Sequence, residues 1–213
     1  MRPVRPFFAA RWLFPEAVFR TGSSAKTLCL TFDDGPDPES TPELLDILDK
    51  ANIRAVFFCN GSSAEKHPGL IAGIKRSGHL VGNHGYRHLN GWKTPADAYR
   101  ENAELAAEST SGELFRPPYG KLGIRQYRQL RKKFRIIFWD VMSYDFDPSF
   151  GAERSLELLA GNIRPGSIIV LHDTAASTCR SFLREFIRTA ENRGFKFETH
   201  FEMLHLDTIK STE

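Results

Sequence analysis

The chain has 213 residues, 29 Lys and Arg against 26 Asp and Glu, and a formal net charge of +3. That length suits one ordinary domain with a substantial core, and the mild charge, with no lysine- or arginine-dense block, argues against a nucleic-acid binder. Three cysteines, Cys29, Cys59 and Cys179, lie far apart with no Cys-x-x-Cys, so buried free thiols are expected rather than a disulfide framework.

The first stretch, MRPVRPFFAARWLFPEAVFR, is basic and aromatic. Its apolar run Phe7 to Ala10 is cut by Arg11, and Pro15 and Glu16 follow, which argues against a cleaved signal peptide. Residues 1–22 are read as an extension packed on the domain or touching a membrane surface, and residues 23–213 as the domain itself. No apolar segment is long enough to span a bilayer. These features suggest a cytoplasmic or membrane-peripheral monomer.

From residue 27 onward, short β-like runs alternate with helical stretches. The first run, 27–32 (TLCLTF), precedes a helix opening at Thr41-Pro42, with Leu44, Leu45, Ile47 and Leu48 as its buried stripe. Run 55–59 follows, then a helix with a Ser62–Glu65 capping box that ends near Gly78. After run 79–82, Thr94-Pro95 starts another helix. Runs 113–115, 136–139, 167–171 and 195–198 are separated by helices over 122–133, 153–161 and roughly 178–193, the last ending at Gly194. The runs are apolar and largely non-alternating, as in parallel strands covered on both faces. With no repeat and no dividing linker, the pattern predicts one α/β domain with a parallel sheet or barrel.

Ionisable residues collect where these runs end. Asp33 and Asp34 follow the first, Asn83, His84 and His88 the third, Arg116 and Tyr119 the fourth, Asp140 and Asp145 the fifth, and His172 and Asp173 the sixth. The C-terminal strand ends are where α/β folds build their sites. Adjacent carboxylates repel unless a cation or hydrogen bonds offset the cost. A metal on one would leave the other free as a base. On a helical turn, His84 and His88 at a spacing of four would share one face, and with a carboxylate they supply three ligands and leave positions for water. Rigid prolines after Arg116 would present it and the Tyr119 backbone N–H, a candidate oxyanion donor. His172 is a candidate general acid or base, oriented by an anionic partner. Asp140 is read first as an ordinary loop carboxylate, His79 as structural, and His67, His200 and His205 as surface.

These residues fall into five motifs: TFDDGP, HGYRH, RPPYG, DVMSYDF and IVLHD, in that order from residue 31 to residue 173. The chain thereby resembles the polysaccharide deacetylases, also called NodB-homology domains or carbohydrate esterase family 4. Two positions depart from the family pattern. Gly85 stands where a hydroxyl residue is usual in the second motif, and Phe146 stands where Trp is usual in the fourth.

The resemblance implies a distorted (β/α)7 barrel and metal-dependent removal of N- or O-acetyl groups from glycans. It implies Asp34, His84 and His88 as ligands of one divalent ion, most readily Zn2+, with Co2+, Ni2+ or Fe2+ as alternatives. It implies Asp33 as general base with Arg116 as its orienting partner, the Tyr119 N–H on the oxyanion, and His172 as general acid tuned by Asp145. Phe146 and Val170, with Tyr119, would line the acetyl pocket. Gly85 would remove a hydroxyl near the metal. Two other readings compete: a non-haem iron oxygenase, since two His and one carboxylate also bind Fe(II), and a catalytically silent glycan- or metal-binding module.

Overall fold

The apolar runs become a single curled sheet. The computed structural model describes residues 3–7, 9–23 and 25–199. Its strands are β1 (Thr27–Asp33), β2 (Val56–Cys59), β3 (Leu80–Asn83), β4 (Leu114–Phe115), β5 (Arg135–Ile136), β6 (Val141–Met142), β7 (Ser167–His172) and β8 (Lys196–Phe197). They pair in parallel in the order β5-β4-β3-β2-β1-β7-β6, with β8 on β1. Helices α1 (Ala10–Leu13), α2 (Ser40–Lys50), α3 (Gly61–Lys66), α4 (Pro68–Arg76), α5 (Ala96–Ala107), α6 (Ile124–Leu130), α7 (Ala152–Asn162) and α8 (Cys179–Asn192) accompany the sheet. This is the parallel α/β barrel-like domain expected from the sequence, curled but open between β5 and β6.

Alternation along the central strands divides the core. Leu28, Leu30 and Phe32 of β1, with Ile169 and Leu171 of β7, face the helices and join Leu44, Leu48, Leu183 and Phe186. The intervening residues face inward. Cys29 and Ile168 join Val18, Val56, Phe58 and Ile137 in an interior cluster, and one step further along lie Thr31, Asp33 and His172. The strand period of two therefore aims Asp33 and His172 at the barrel mouth. All three cysteines are free and buried.

Residues 14–21 cover the opening between β5 and β6, bridging from Ile137 on one side to Ser167 at the start of β7 on the other. The Val18 N–H donates to the Ile136 carbonyl at 2.9 Å, and the Phe138 N–H donates to the Val18 carbonyl at 2.8 Å. Arg20 bridges antiparallel to Ser167. Phe138 stacks against Phe14 and Phe19 at centroid distances of 5.5 and 4.9 Å.

Local boundaries differ from the sequence reading where capping or proline decides. Helix α2 begins at Ser40, before Thr41, because Asp37 Oδ1 accepts the N–H groups of Glu39 and Ser40 at 2.8 and 2.9 Å. The single helix expected up to Gly78 splits at His67, since Pro68 disfavours α geometry in the residue before it. The Ser62–Glu65 box does not form. Asn60 precedes the helix, and Glu65 accepts the Tyr86 hydroxyl at 2.5 Å. The fifth run ends as a strand at Ile136, and β6 is a further short strand on β7. His200 and His205 lie outside the described residues. His79 is buried and accepts the Ala55 N–H at 3.1 Å, a structural role.

Phe138→Ala should remove about 3–5 kcal/mol of unfolding free energy, measured by urea titration. Because the lost ring holds Phe14 and Phe19, trypsin should also cleave the variant faster after Arg11 and Arg20. Unchanged cleavage there would show that the stack does not hold the segment.

Candidate active site

The first turn after β1 separates the two aspartates. Asp33 is the last residue of the strand and points inward, whereas Asp34 takes a left-handed backbone, φ 77°. Few non-glycine residues do so, and the cost is roughly 1–2 kcal/mol. Among the described residues four non-glycines have positive φ, and three of them, Asp34, Tyr119 and Tyr144, line one cleft. Strain of this kind clusters at functional sites.

Asp34, His84 and His88 converge, each offering one ligand atom within 4.8 Å of the others. Asp34 Oδ1 lies 3.1 Å from His88 Nε2 and 3.6 Å from His84 Nε2, and the two Nε2 atoms are 3.2 Å apart. His84 Nδ1–H donates to the Arg116 carbonyl at 2.8 Å, which turns the Nε2 lone pair toward the cluster. Burial pushes His84 down to about 4 despite Asp33 and Asp34, so it is a neutral imidazole at neutral pH. Burial alone would raise Asp34, but the hydrogen bond with His88 and the nearby His84 hold it well below the usual carboxylate range. Two imidazole nitrogens and one carboxylate oxygen fit a divalent ion of borderline softness.

The two histidines do not sit on a helical turn. They belong to a loop, shaped by Gly85 at φ 79°. Asn83 Oδ1 accepts the Gly85 N–H at 2.8 Å, and Asn102 Oδ1 accepts the Arg87 N–H at 2.8 Å. A Cβ at position 85 would stand 2.7 Å from Asn102 Nδ2. The departure at Gly85 thus has a local reason: an amide from α5 occupies the space that a side chain would need.

Arg116 is fully buried, and its Nη1 lies 2.7 Å from Asp33 Oδ1. The same nitrogen donates to Thr31 Oγ1 at 2.6 Å, and Nη2 donates to the Phe138 carbonyl at 3.0 Å. Across the mouth, His172 Nδ1 bonds Asp145 Oδ1 at 2.8 Å, and the His172 N–H donates to Asp145 Oδ2 at 2.8 Å. Ser143 and Ser177 hydroxyls donate to the same carboxylate at 2.5 and 2.6 Å. Burial would lower His172, but the Asp145 charge and hydrogen bond raise it to about 9. Burial would likewise raise Asp145, yet the His172 charge and these hydrogen bonds hold it below its ordinary value. Ser143, Ser177 and Asn102 could not be found in these roles from sequence, because isolated serines and asparagines carry no spacing signal, and Asn83 was visible only by its place at a strand end.

The cluster opens into a cleft of about 630 Å³, whose walls include Tyr119, Phe146 and His172. The Tyr119 ring meets His88 edge-on at 4.4 Å, and Phe146 meets His172 in the same manner at 4.8 Å. Val170 is not part of this lining. It is fully buried two residues before His172 on the same strand face. Asp140 and Asp173 also lie away from the cleft. Asp140 is buried against Arg164 and accepts the Ser167 hydroxyl at 2.7 Å. Asp173 accepts the Thr41 hydroxyl at 2.6 Å and is raised to about 7 by burial.

A family model described as polysaccharide deacetylase matches residues 20–136. A peptidoglycan-N-acetylglucosamine deacetylase of Bacillus cereus is 35% identical over 183 residues, which cover 81% of this chain and 66% of that protein. A chitooligosaccharide deacetylase of Sinorhizobium fredii is 32% identical over 196 residues, covering 83% of this chain and 91% of its own. A solved peptidoglycan N-acetylglucosamine deacetylase, crystallised with 4-naphthalen-1-yl-N-oxidanyl-benzamide, superposes with a TM-score of 0.82 at 30% identity. That alignment covers 91% of this chain and 94% of the other.

Gly85→Ser should destabilise the metal-free protein by about 1–2 kcal/mol in urea unfolding, from the left-handed backbone and the displaced Asn102. A neutral or stabilising result would show that the loop accepts a side chain without strain.

Proposed function

The chain belongs to the polysaccharide deacetylase family, and from that premise we propose that it hydrolyses acetyl groups from an N-acetylated glycan, with Asp33 as base and His172 as acid. The observation that carries this reading is the pair of opposed devices at one cleft: a carboxylate beside a buried guanidinium, and an imidazole beside a buried carboxylate. The Arg116 guanidinium fixes the Asp33 carboxylate in place, and Asp145 keeps the His172 imidazole charged, so a proton acceptor and a proton donor face one cleft.

Asp34, His84 and His88 would hold one divalent ion, with zinc the first choice and cobalt, nickel or iron(II) as alternatives. When bound, the ion supplies Lewis-acid polarisation of the acetyl carbonyl and acidification of water. Asp33 takes the proton of the attacking water, and Arg116 keeps that carboxylate fixed and accepting. The Tyr119 backbone N–H donates to the developing oxyanion. His172, charged through its bond to Asp145, gives its proton to the departing nitrogen, so acetate and an amine leave. Phe146 and Tyr119 provide apolar walls beside the acetyl methyl. The relatives named for N-acetylglucosamine and chitooligosaccharide make an N-acetylglucosamine-containing glycan the substrate class of choice. An iron oxygenase would leave both proton-transfer devices without a task, and a silent binding module would not require them.

The test is acetate release from acetylated chitooligosaccharides and peptidoglycan fragments by the zinc-loaded protein. Asp33→Asn should lower the rate by about 10²–10⁴ while metal content, measured by plasma emission, stays at the parent level. Asp34→Ala should lose both rate and metal. Equal release by Asp33→Asn would remove that residue from the role of base.

The pH profile gives an independent check. With its pKa raised, His172 carries its proton through neutral pH and loses it as pH climbs through about 9. Asp145→Asn removes the charge that raises it, while burial still lowers it. The alkaline limb of kcat should therefore move to lower pH in that variant. A limb that stays in place would assign it to another group.

A further inference from the structure

The described N-terminal residues do more than cover the barrel gap. Residues 3–7 run along one side of the cleft, and Pro3, Pro6, Phe7 and Ala10 belong to its lining. The segment is tied down. The Met142 N–H donates to the Val4 carbonyl at 2.9 Å, and the Tyr144 hydroxyl donates to the Pro3 carbonyl at 2.6 Å. Arg5 Nη2 donates to the Asn162 carbonyl at 2.8 Å, and its Nε lies 3.4 Å from Asp140. Phe7, just beyond these ties, is 53% exposed on the cleft wall.

The rings of Trp92, Trp139 and Tyr119 can stack on the faces of sugar rings, but the strap side, with Pro3, Pro6, Phe7, Ala10 and Met142, has a different chemistry. Each sugar hydroxyl brings one donor and two acceptor positions that call for polar partners. Away from the reacting groups, the charged side chains on the lining are Arg5 and Lys121. Arg5 is engaged by Asn162 and Asp140, and the Lys121 ammonium lies over the Trp92 ring at 5.3 Å. No asparagine, glutamine, serine or threonine lines the cleft among the described residues. On the strap side the surface is proline, alanine, methionine and the Phe7 ring, and the hydroxyl of the neighbouring Tyr144 is already taken by the Pro3 carbonyl. A lining with so few polar groups suits an apolar ligand portion.

We propose that residues 3–10 are a specificity element, and that the substrate carries an apolar alkyl aglycone beside the acetylated sugar, seated against Phe7. This rests on the deacetylase reading for the identity of the sugar, but the seat itself is read from the strap and the lining. Phe7 is a positioning residue: it touches the aglycone and not the reacting atoms. Its effect falls on binding and KM, with kcat unchanged.

The experiment compares the β-methyl and β-octyl glycosides of di-N-acetylchitobiose, the octyl form below its micelle concentration. Binding is measured by calorimetry to Asp33→Asn, and turnover by acetate release from the parent chain. The octyl glycoside should bind at least tenfold more tightly, since each buried methylene contributes roughly a factor of four. Phe7→Ser, a change at a half-exposed position, should reduce that preference to below about threefold while its melting temperature stays at the parent value. Equal affinity for the two glycosides, binding of neither, or a preference that survives Phe7→Ser each overturns the proposal. A Phe7-dependent octyl preference without acetate release from either glycoside would uphold the seat and refute the deacetylase reading. Acetate release with no octyl preference would do the reverse.

Discussion

Arg116 carries a full positive charge at zero exposure. Removing an ion from water costs several kcal/mol even after relaxation, so such a residue persists only where its surroundings compensate it closely. Here they do. Asp33 supplies the counter-charge, Thr31 Oγ1 and the Phe138 carbonyl take further N–H groups, and the guanidinium lies 4.1 Å from the Phe58 ring centroid. These partners come from β1, from β2 and from the segment after β5, so satisfying one charge fixes three parts of the barrel against each other. The backbone of the same residue acts on the other half of the site. Its carbonyl takes the Nδ1–H of His84 and so decides which imidazole nitrogen faces the cluster. Asp33 and His84 are thus oriented from a single buried position.

That constraint explains how two neighbouring carboxylates can have different tasks. Asp33 is committed inward to Arg116, and only the left-handed turn at Asp34 lets the next carboxylate swing toward His88. Without the turn, strand alternation would send Asp34 to the helix-facing side, where Leu28, Leu30 and Phe32 are buried. The backbone strain is supported by a strand held on both sides, since β1 pairs with β2, β7 and β8. On the opposite side, Asp145 is held by His172, Ser143 and Ser177. A carboxylate so fully bonded stays ionised without solvent, and the imidazole beside it stays charged.

The parts of this arrangement that sequence made legible are those with a strong local signature. Long apolar runs announced β1 and β7, and the ionisable residues after them could be read as one rim because parallel topology places all strand ends together. Five ordered motifs carried most of the side chains that the structure brings to the cleft. What escaped was either too short or dependent on contacts distant in sequence. Val141–Met142 is a strand only because β7 lies beside it. The break at His67 follows from Pro68, which the helical period around it concealed. His84 and His88 suggested a helical turn by spacing, yet Gly85 and the Asn83 and Asn102 amides make a loop that reaches the same convergence. Val170 looked like a pocket residue, but interior strand faces hold successive layers, and it lies one layer too deep.

The N-terminal segment joins stability to recognition. Phe14, Val18 and Phe19 close the opening beside β5 through Phe138, and Phe138 is also part of the cleft lining. A few residues earlier, the same segment binds β6 through Met142 and forms a cleft wall at Phe7. A parallel sheet that stops short of closing needs its exposed edges covered. Once an extension is recruited for that purpose, its continuation runs past the strand ends, where Asp33, Asp34 and His172 lie. Sequence changes in this segment therefore reshape the cleft without disturbing Asp33, Asp34, His84, His88 or His172, all of which are anchored in other elements. In such a fold the cluster of ionisable side chains is fixed by the central strands and the loops that follow them, and one wall of the cleft is left to the segment that closes the barrel.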